Sequence, residues 1–149
     1  MKRLIVIFLG VLFCLTVFPV SAQEISTTDK LITVDTAKQM LYAWEGGKIV
    51  YQTPVSTGLP KSPTIKGTFK IYLKYIVQAN MKGVSPYIGR YNLKNVPHVM
   101  YFSGNYAIHG AYWHNSFGRR ASNGCVNVPL VAAEWLFNFA GNGTTVMVF

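Results

Sequence analysis

Residues 31–57 read LITVDTAKQMLYAWEGGKIVYQTPVST. Leu31 to Asp35 is a short apolar and β-branched run, and Thr36-Ala37-Lys38 turns it. Gln39 to Trp44 reads as a second strand, rich in aromatic and apolar residues. Glu45-Gly46-Gly47-Lys48 is a hairpin signal, because two glycines accept the positive φ angles of a tight turn. Ile49 to Thr57 returns as a third strand, with Pro54 demoting part of it to an edge or a bulge. Three strands within 27 residues point to a mostly β domain.

The reading extends outward in both directions. Gly58 to Pro63 is a loop by its Gly and Pro content. Gly67 to Tyr75 alternates apolar and polar side chains and is expected to be one half-buried strand. Residues 76–97 are broken up by Gly83, Pro86, Gly89 and Pro97, and no regular element is assigned to them. Val99 to Phe102 and Tyr106 to His109 read as strands joined at Ser103-Gly104-Asn105. Residues 110–124 are polar, aromatic and Gly-containing, a loop long enough to suggest function. Pro129 to Ala140 is the one expected helix, with Pro129 at its first position, Gly141 past its end, and Leu130, Ala133, Phe137 and Ala140 on one face. Thr144 to Phe149 closes as a strand.

At the N-terminus Met1-Lys2-Arg3 precedes an apolar run to Phe18, and Val20-Ser21-Ala22 stands in an A-x-A-like position before polar Gln23-Glu24. This is the pattern of a secretory signal, expected to be cleaved after Ala22. The run is shorter than the ~20 apolar residues of a spanning helix. The expected division is therefore a signal at 1–22, a polar lead-in at 23–29 and one domain over 30–149. After cleavage no stable membrane insertion is expected, and the protein is placed in the periplasm or cell wall. Loss of Lys2 and Arg3 takes the formal charge from +9 to +7, with the remaining cations scattered. That charge suits an anionic wall or membrane surface, or plain solubility. No nucleic-acid motif accompanies it.

Two cysteines are present, and Cys14 leaves with the signal. Cys125 is then alone in a chain sent to an oxidising compartment, which leaves a reactive thiol, an intermolecular disulfide or an inert buried side chain as its roles. A free thiol has a pKa of about 8.5, so little of it is thiolate at neutral pH. A neighbouring imidazole can take the proton, provided a third group fixes its tautomer. Backbone amides in a sharp glycine-containing turn can meet a developing oxyanion. His109 and Cys125 bracket the long loop, and Ser122-Asn123-Gly124-Cys125-Val126-Asn127 has the required glycine.

The whole string resembles the signature of the L,D-transpeptidase catalytic domain, the family of cysteine peptidoglycan transpeptidases. That signature is His-Gly or His-Ser, a loop, then Ser/Thr-x-Gly-Cys-hydrophobic-Arg/Asn. Here His109-Gly110 is followed, after the loop, by Ser122 to Asn127. Upstream, Ile32 to Asp35, Lys38 to Tyr42, Pro54 to Gly58, Gly67 to Ile71 and Tyr106 to Ile108 resemble the family's other strands. The similarity covers about residues 30–149. It implies a single β-sandwich or barrel domain with one short helix after the cysteine. It implies an acyl-enzyme formed on the cysteine from a peptidoglycan tetrapeptide stem, transfer to an amine to give a 3→3 cross-link, and no metal or cofactor. By position, Cys125 is the nucleophile, His109 the base and the Gly110 carbonyl its orienting group. Amides of Asn123, Gly124 and Cys125 form the oxyanion hole, with Ser122 and Asn127 in support.

Two departures stand out. Asn123 occupies a position where many members have His, and Ile65-Lys66 interrupts the family's Thr-Pro-Thr-Gly-Thr-Phe pattern. Water as acceptor would make the protein an L,D-carboxypeptidase, and lost catalysis would leave a wall-binding protein. Arg119, Tyr112 and Trp113 are candidate substrate contacts, with Phe117 a further loop aromatic; each suits a solvated or packed loop equally well. His98 is read as structural and Trp135 as core. His109 and His114 are five apart with no HxxxH, so no zinc site is expected. A monomer is expected.

Overall fold

The computed structural model describes residues 30–149. The expected signal segment (1–22) and lead-in (23–29) lie outside the described residues. Nine strands and one helix follow in chain order: β1 (Leu31–Asp35), β2 (Met40–Glu45), β3 (Lys48–Pro54), β4 (Gly67–Lys70), β5 (Leu73–Ser85), β6 (Gly89–Ser103), β7 (Tyr106–Gly110), β8 (Val126–Val128), α1 (Leu130–Phe139) and β9 (Thr145–Val148). Among the described residues the fold is mostly β with a single short helix, as expected.

The strands form two sheets, ordered β3-β2-β1-β9-β4 and β5-β6-β7-β8. The hairpin of β2 and β3 turns at Gly46-Gly47, both with positive φ. Pro54 ends β3, an edge strand, where a missing N–H is tolerated. The C-terminal β9 threads parallel to β1 and antiparallel to β4, closing the first sheet.

Three expectations are corrected. Residues 67–75 are not one strand: the chain leaves the first sheet after Lys70 and enters the second at Leu73, with buried Ile71 at the corner. The apolar alternation runs on through the corner, but the second half does not bury it, since Leu73 and Tyr75 are exposed. Residues 76–97 are not irregular but the arms of a long hairpin, β5 with β6, paired from Leu73–Tyr101 to Ser85–Gly89. Much of this hairpin is exposed on both faces, so it lacks the alternation that marks a half-buried strand. In α1, Pro129 is the N-cap, one residue before the helix, and the buried face is Ala132, Ala133, Leu136 and Phe139, while Leu130 is exposed.

The main core joins both sheets to the helix. Ile32, Val34, Leu41, Val146 and Val148 come from the first sheet, and Met100, Phe102, Ile108, Val126 and Val128 from the second. Trp135 is partly buried against it and stacks on Tyr51 at 4.3 Å between ring centroids. A second, smaller cluster of Met81, Val96, Val99 and Ala107 carries Leu93, Tyr101, Trp113 and Cys125 packed against it.

Candidate active site

The candidate residues are sorted by the period of two along β7 and β8. Ile108 and Val126 enter the main core, and Gly110 meets the helix: a Cβ there would lie 2.9 Å from Pro97 Cγ and 3.2 Å from Ala133 Cβ. Ala107, His109 and Asn127 alternate with these residues and so project from the other face. The parallel register sets His109 opposite Asn127 and Ile108 opposite Val126. Cys125 immediately precedes β8 and packs with Ala107 in the second cluster.

The loop that separates His109 from Cys125 is pinned to the segment after β3. Gly118 N–H donates to the Val55 carbonyl (2.8 Å), and Ser56 Oγ donates to the Ser116 carbonyl (2.5 Å). Ala121 and Ser122 N–H both donate to the Thr57 carbonyl (3.1 Å each). Thr57 is in turn held by Gln39, whose side chain bonds both its N–H and its hydroxyl. Gln39 adopts φ 56° and is 4% exposed, so the β1–β2 turn is built to brace this segment.

The turn before the cysteine is fixed by Ser122. Its Oγ donates to the Cys125 carbonyl (2.5 Å) and accepts from Gly124 N–H (3.1 Å). Gly124 has φ 118°, and a Cβ there would lie 2.9 Å from Tyr106 Cε1. Conformation and space both require glycine. Since Gly124 N–H is engaged by Ser122, the amides of Asn123 and Cys125 are the remaining members of the expected oxyanion set.

His109 is 2% exposed, and its Nδ1 lies 3.1 Å from the Gly110 carbonyl. A carbonyl only accepts, so Nδ1 carries the proton and Nε2 holds the lone pair. Burial pushes the His109 pKa down to about 4, against an opposing contribution from the Gly110 carbonyl and with a further lowering from nearby His114. The Cys125 thiol is pushed up to about 11 by burial, partly offset by the Ala107 backbone. Its Sγ donates to the Asn105 carbonyl at 3.5 Å. The resting pair is therefore a neutral thiol and a neutral imidazole, not the preformed ion pair that sequence chemistry alone suggests.

Two cavities meet at the thiol. One, of about 490 Å³, is lined by Asn80, Lys82, Tyr91, Tyr101, Tyr106 and Asn123 among others, with Cys125 in its wall. The other, of about 50 Å³, is shared by His109, Cys125, Trp113, Ser122, Asn123 and Asn127. Trp113 packs on the His109 ring at 5.7 Å. Tyr112 and Arg119 are exposed and line neither cavity, and the Tyr112 hydroxyl donates to the Lys94 carbonyl. His98 packs on Phe137 at 5.3 Å, away from both cavities. The β5–β6 hairpin supplies Tyr101, from the expected strand Val99 to Phe102, and Asn80, Met81, Lys82 and Tyr91, which sequence reasoning missed. Their only local signal was a run of aromatic and amide side chains in a segment with no assigned structure.

A comparison with curated protein sequences finds no match. Among solved structures, an L,D-transpeptidase from Mycobacterium smegmatis superposes with a TM-score of 0.75 at 26% identity, covering 81% of this chain and 58% of that one. The Ldtfm–avibactam carbamoyl enzyme gives 0.73 at 30% identity, covering 81% and 49%. The catalytic domain of the Enterococcus faecium L,D-transpeptidase gives 0.73 at 29% identity, covering 82% and 98%. The chain thus spans about half to three fifths of the first two and nearly all of the isolated catalytic domain. Residues 29–148 match the YkuD family, described as the L,D-transpeptidase catalytic domain, and the chain belongs to that family.

Proposed function

We propose that the protein is an exported peptidoglycan L,D-transpeptidase of the cell envelope with Cys125 as nucleophile and His109 as general base. The observation that carries this reading is the shared small cavity, into which Cys125 and His109 both open while the Gly110 carbonyl fixes the His109 tautomer. Sγ attacks the carbonyl of a stem peptide before its terminal D-amino acid, and the thiol proton passes to His109 Nε2. The amides of Asn123 and Cys125 receive the developing oxyanion. Collapse expels the D-amino acid, whose amine takes the proton from His109. An amine of a neighbouring stem then attacks the thioester, gives its proton to His109, and restores the thiol as the new amide forms. The larger cavity, within the size range of ligand pockets, suits a peptide, with tyrosine walls and amide and lysine side chains for its polar groups. Proton transfer accompanies attack here, because the resting thiol is neutral.

That same resting state, with Sγ turned to the Asn105 carbonyl, favours a second reading: a wall-binding protein without turnover. Intact-mass spectrometry after incubation with a carbapenem separates the two. A one-drug mass increase that is absent in Cys125→Ala is expected of the enzyme. A folded protein with a titratable thiol and no adduct would favour the binder. Tetrapeptide donors with and without an amine acceptor then distinguish transpeptidation from hydrolysis.

A further inference from the structure

Behind the proposed catalytic pair stands a second histidine in a hydrogen-bond chain that only one arrangement of protons satisfies. The backbone N–H of Ser116 donates to His114 Nδ1 at 3.1 Å. The Nδ2 position of the Asn127 side chain lies 2.9 Å from His114 Nε2. A neutral imidazole has one donor and one acceptor nitrogen. Nδ1 is already the acceptor, so Nε2 carries the hydrogen and must donate. An amide nitrogen cannot receive it. A half-turn of the amide, which exchanges nitrogen and oxygen without changing its shape, sets Oδ1 against Nε2–H and completes the chain.

Asn127 is 3% exposed and lines the small cavity with His109 and Cys125. With Oδ1 held by His114, Nδ2 is the amide atom left to face that cavity. We infer that His114 is a positioning residue that locks the Asn127 amide so that its Nδ2–H group is presented beside Cys125, to a carbonyl oxygen of the bound acyl group. The chain of contacts runs from the Ser116 backbone through His114 to Asn127, and Phe117 and Trp113 flank the His114 ring at 5.3 and 6.1 Å between centroids. Burial also lowers the His114 pKa, in keeping with a ring that must stay neutral to accept from Ser116. His109 and His114 thus hold opposite tautomers: His109 protonated on Nδ1, His114 on Nε2.

The inference rests on the transpeptidase reading for what Nδ2 meets, but its tautomer content does not depend on activity. In the full chain with 15N-labelled histidine, two-bond nitrogen–proton correlation spectra at pH 7 should show His114 with a protonated Nε2 and a bare Nδ1. His114 is assigned from the spectrum of His114→Gln. A protonated Nδ1, or an imidazolium, would overturn the proposal whether or not the protein is acylated. Rates of carbapenem acylation give the second readout. His114→Gln keeps a donor near the Nε2 position and should stay within about threefold of wild type, while His114→Leu, of similar size without a donor, should fall about tenfold, the worth of one hydrogen bond. Equal losses in the two variants would reduce His114 to a packing role. Absence of acylation in the wild type would count against the proposed function, and the tautomer would still decide the inference.

Discussion

His109 and Asn127 stand directly opposite each other across the parallel pair β7–β8, so the proposed base and the amide beside it are held by backbone register. The candidate site joins this sheet surface to the turn that carries Ser122 to Cys125. Its outer wall is the β5–β6 hairpin, and its floor is the small cluster around Ala107. Rigid elements hold side chains to tighter tolerances than loops do.

The neutral resting thiol has a pH signature. With the Cys125 pKa pushed up to about 11, the thiolate fraction rises about tenfold per pH unit from pH 7 to 10. Iodoacetamide alkylation followed by mass spectrometry should climb across that range without levelling. A plateau below pH 9 would mean that an ion pair forms in the free protein.

His109 should make stability pH-dependent. Its folded-state pKa of about 4 lies below the ordinary value of 6.5, so the unfolded chain binds more protons between those values. Its contribution is fully present above pH 6.5 and is lost as pH falls through 4, by up to about 1.4 kcal/mol per pH unit. Urea unfolding should show a shallower slope in His109→Gln than in the wild type, the part that remains coming from the lowered pKa of His114. Parallel curves would place the pH dependence elsewhere.

Gly124→Ala should strain the turn that presents Cys125. A φ of 118° is closed to L-residues, and the new Cβ would press on the Tyr106 ring. A loss of about 1–3 kcal/mol is expected, with a fall in acylation rate larger than that of Gly143→Ala. Gly143 also has positive φ, but a Cβ there meets nothing within 4 Å. Equal acylation rates in the two variants would sink the argument.

Lys74 closes the C-terminal end of α1. Its ammonium donates to the carbonyls of Phe137 and Ala140, 2.5 Å each, and lies 4.0 Å over the Phe137 ring. Cations are favoured at this end of a helix. Lys74→Met should lower stability by about 1–3 kcal/mol in urea titrations. Because Lys74 lies outside both cavities, its acylation rate in the folded protein should remain that of wild type. An unchanged urea midpoint would show that the helix end finds water as an equal partner.

The elements easiest to read were those with local signals. β1, the β2–β3 hairpin with its two glycines, β7, α1 to within a residue at each end, and β9 all follow from patterning, turn residues and helix boundaries. Strand β7 carries His109 and Gly110, while Ser122, Gly124 and Cys125 lie in the turn before β8 and were legible through the signature rather than through any element. The long hairpin was illegible because its strands are largely exposed on both faces, and its pairing joins residues whose partners lie up to 28 positions away. Tyr91 and Tyr101 reach the cavity only through that pairing.

The sequence by itself determined the family signature, the mostly β class, the helix after the cysteine and the residues bracketing the long loop, since each depends on residue type at short spacing. Tertiary structure decided the rest. Burial set the charge state of Cys125 and His109, because desolvation depends on what packs around a group and not on its neighbours in sequence. Packing also committed Gly124 N–H to Ser122, kept Arg119 and Tyr112 out of the cavities, and brought His114 to Asn127, since hydrogen-bond partners are assigned by contact in space.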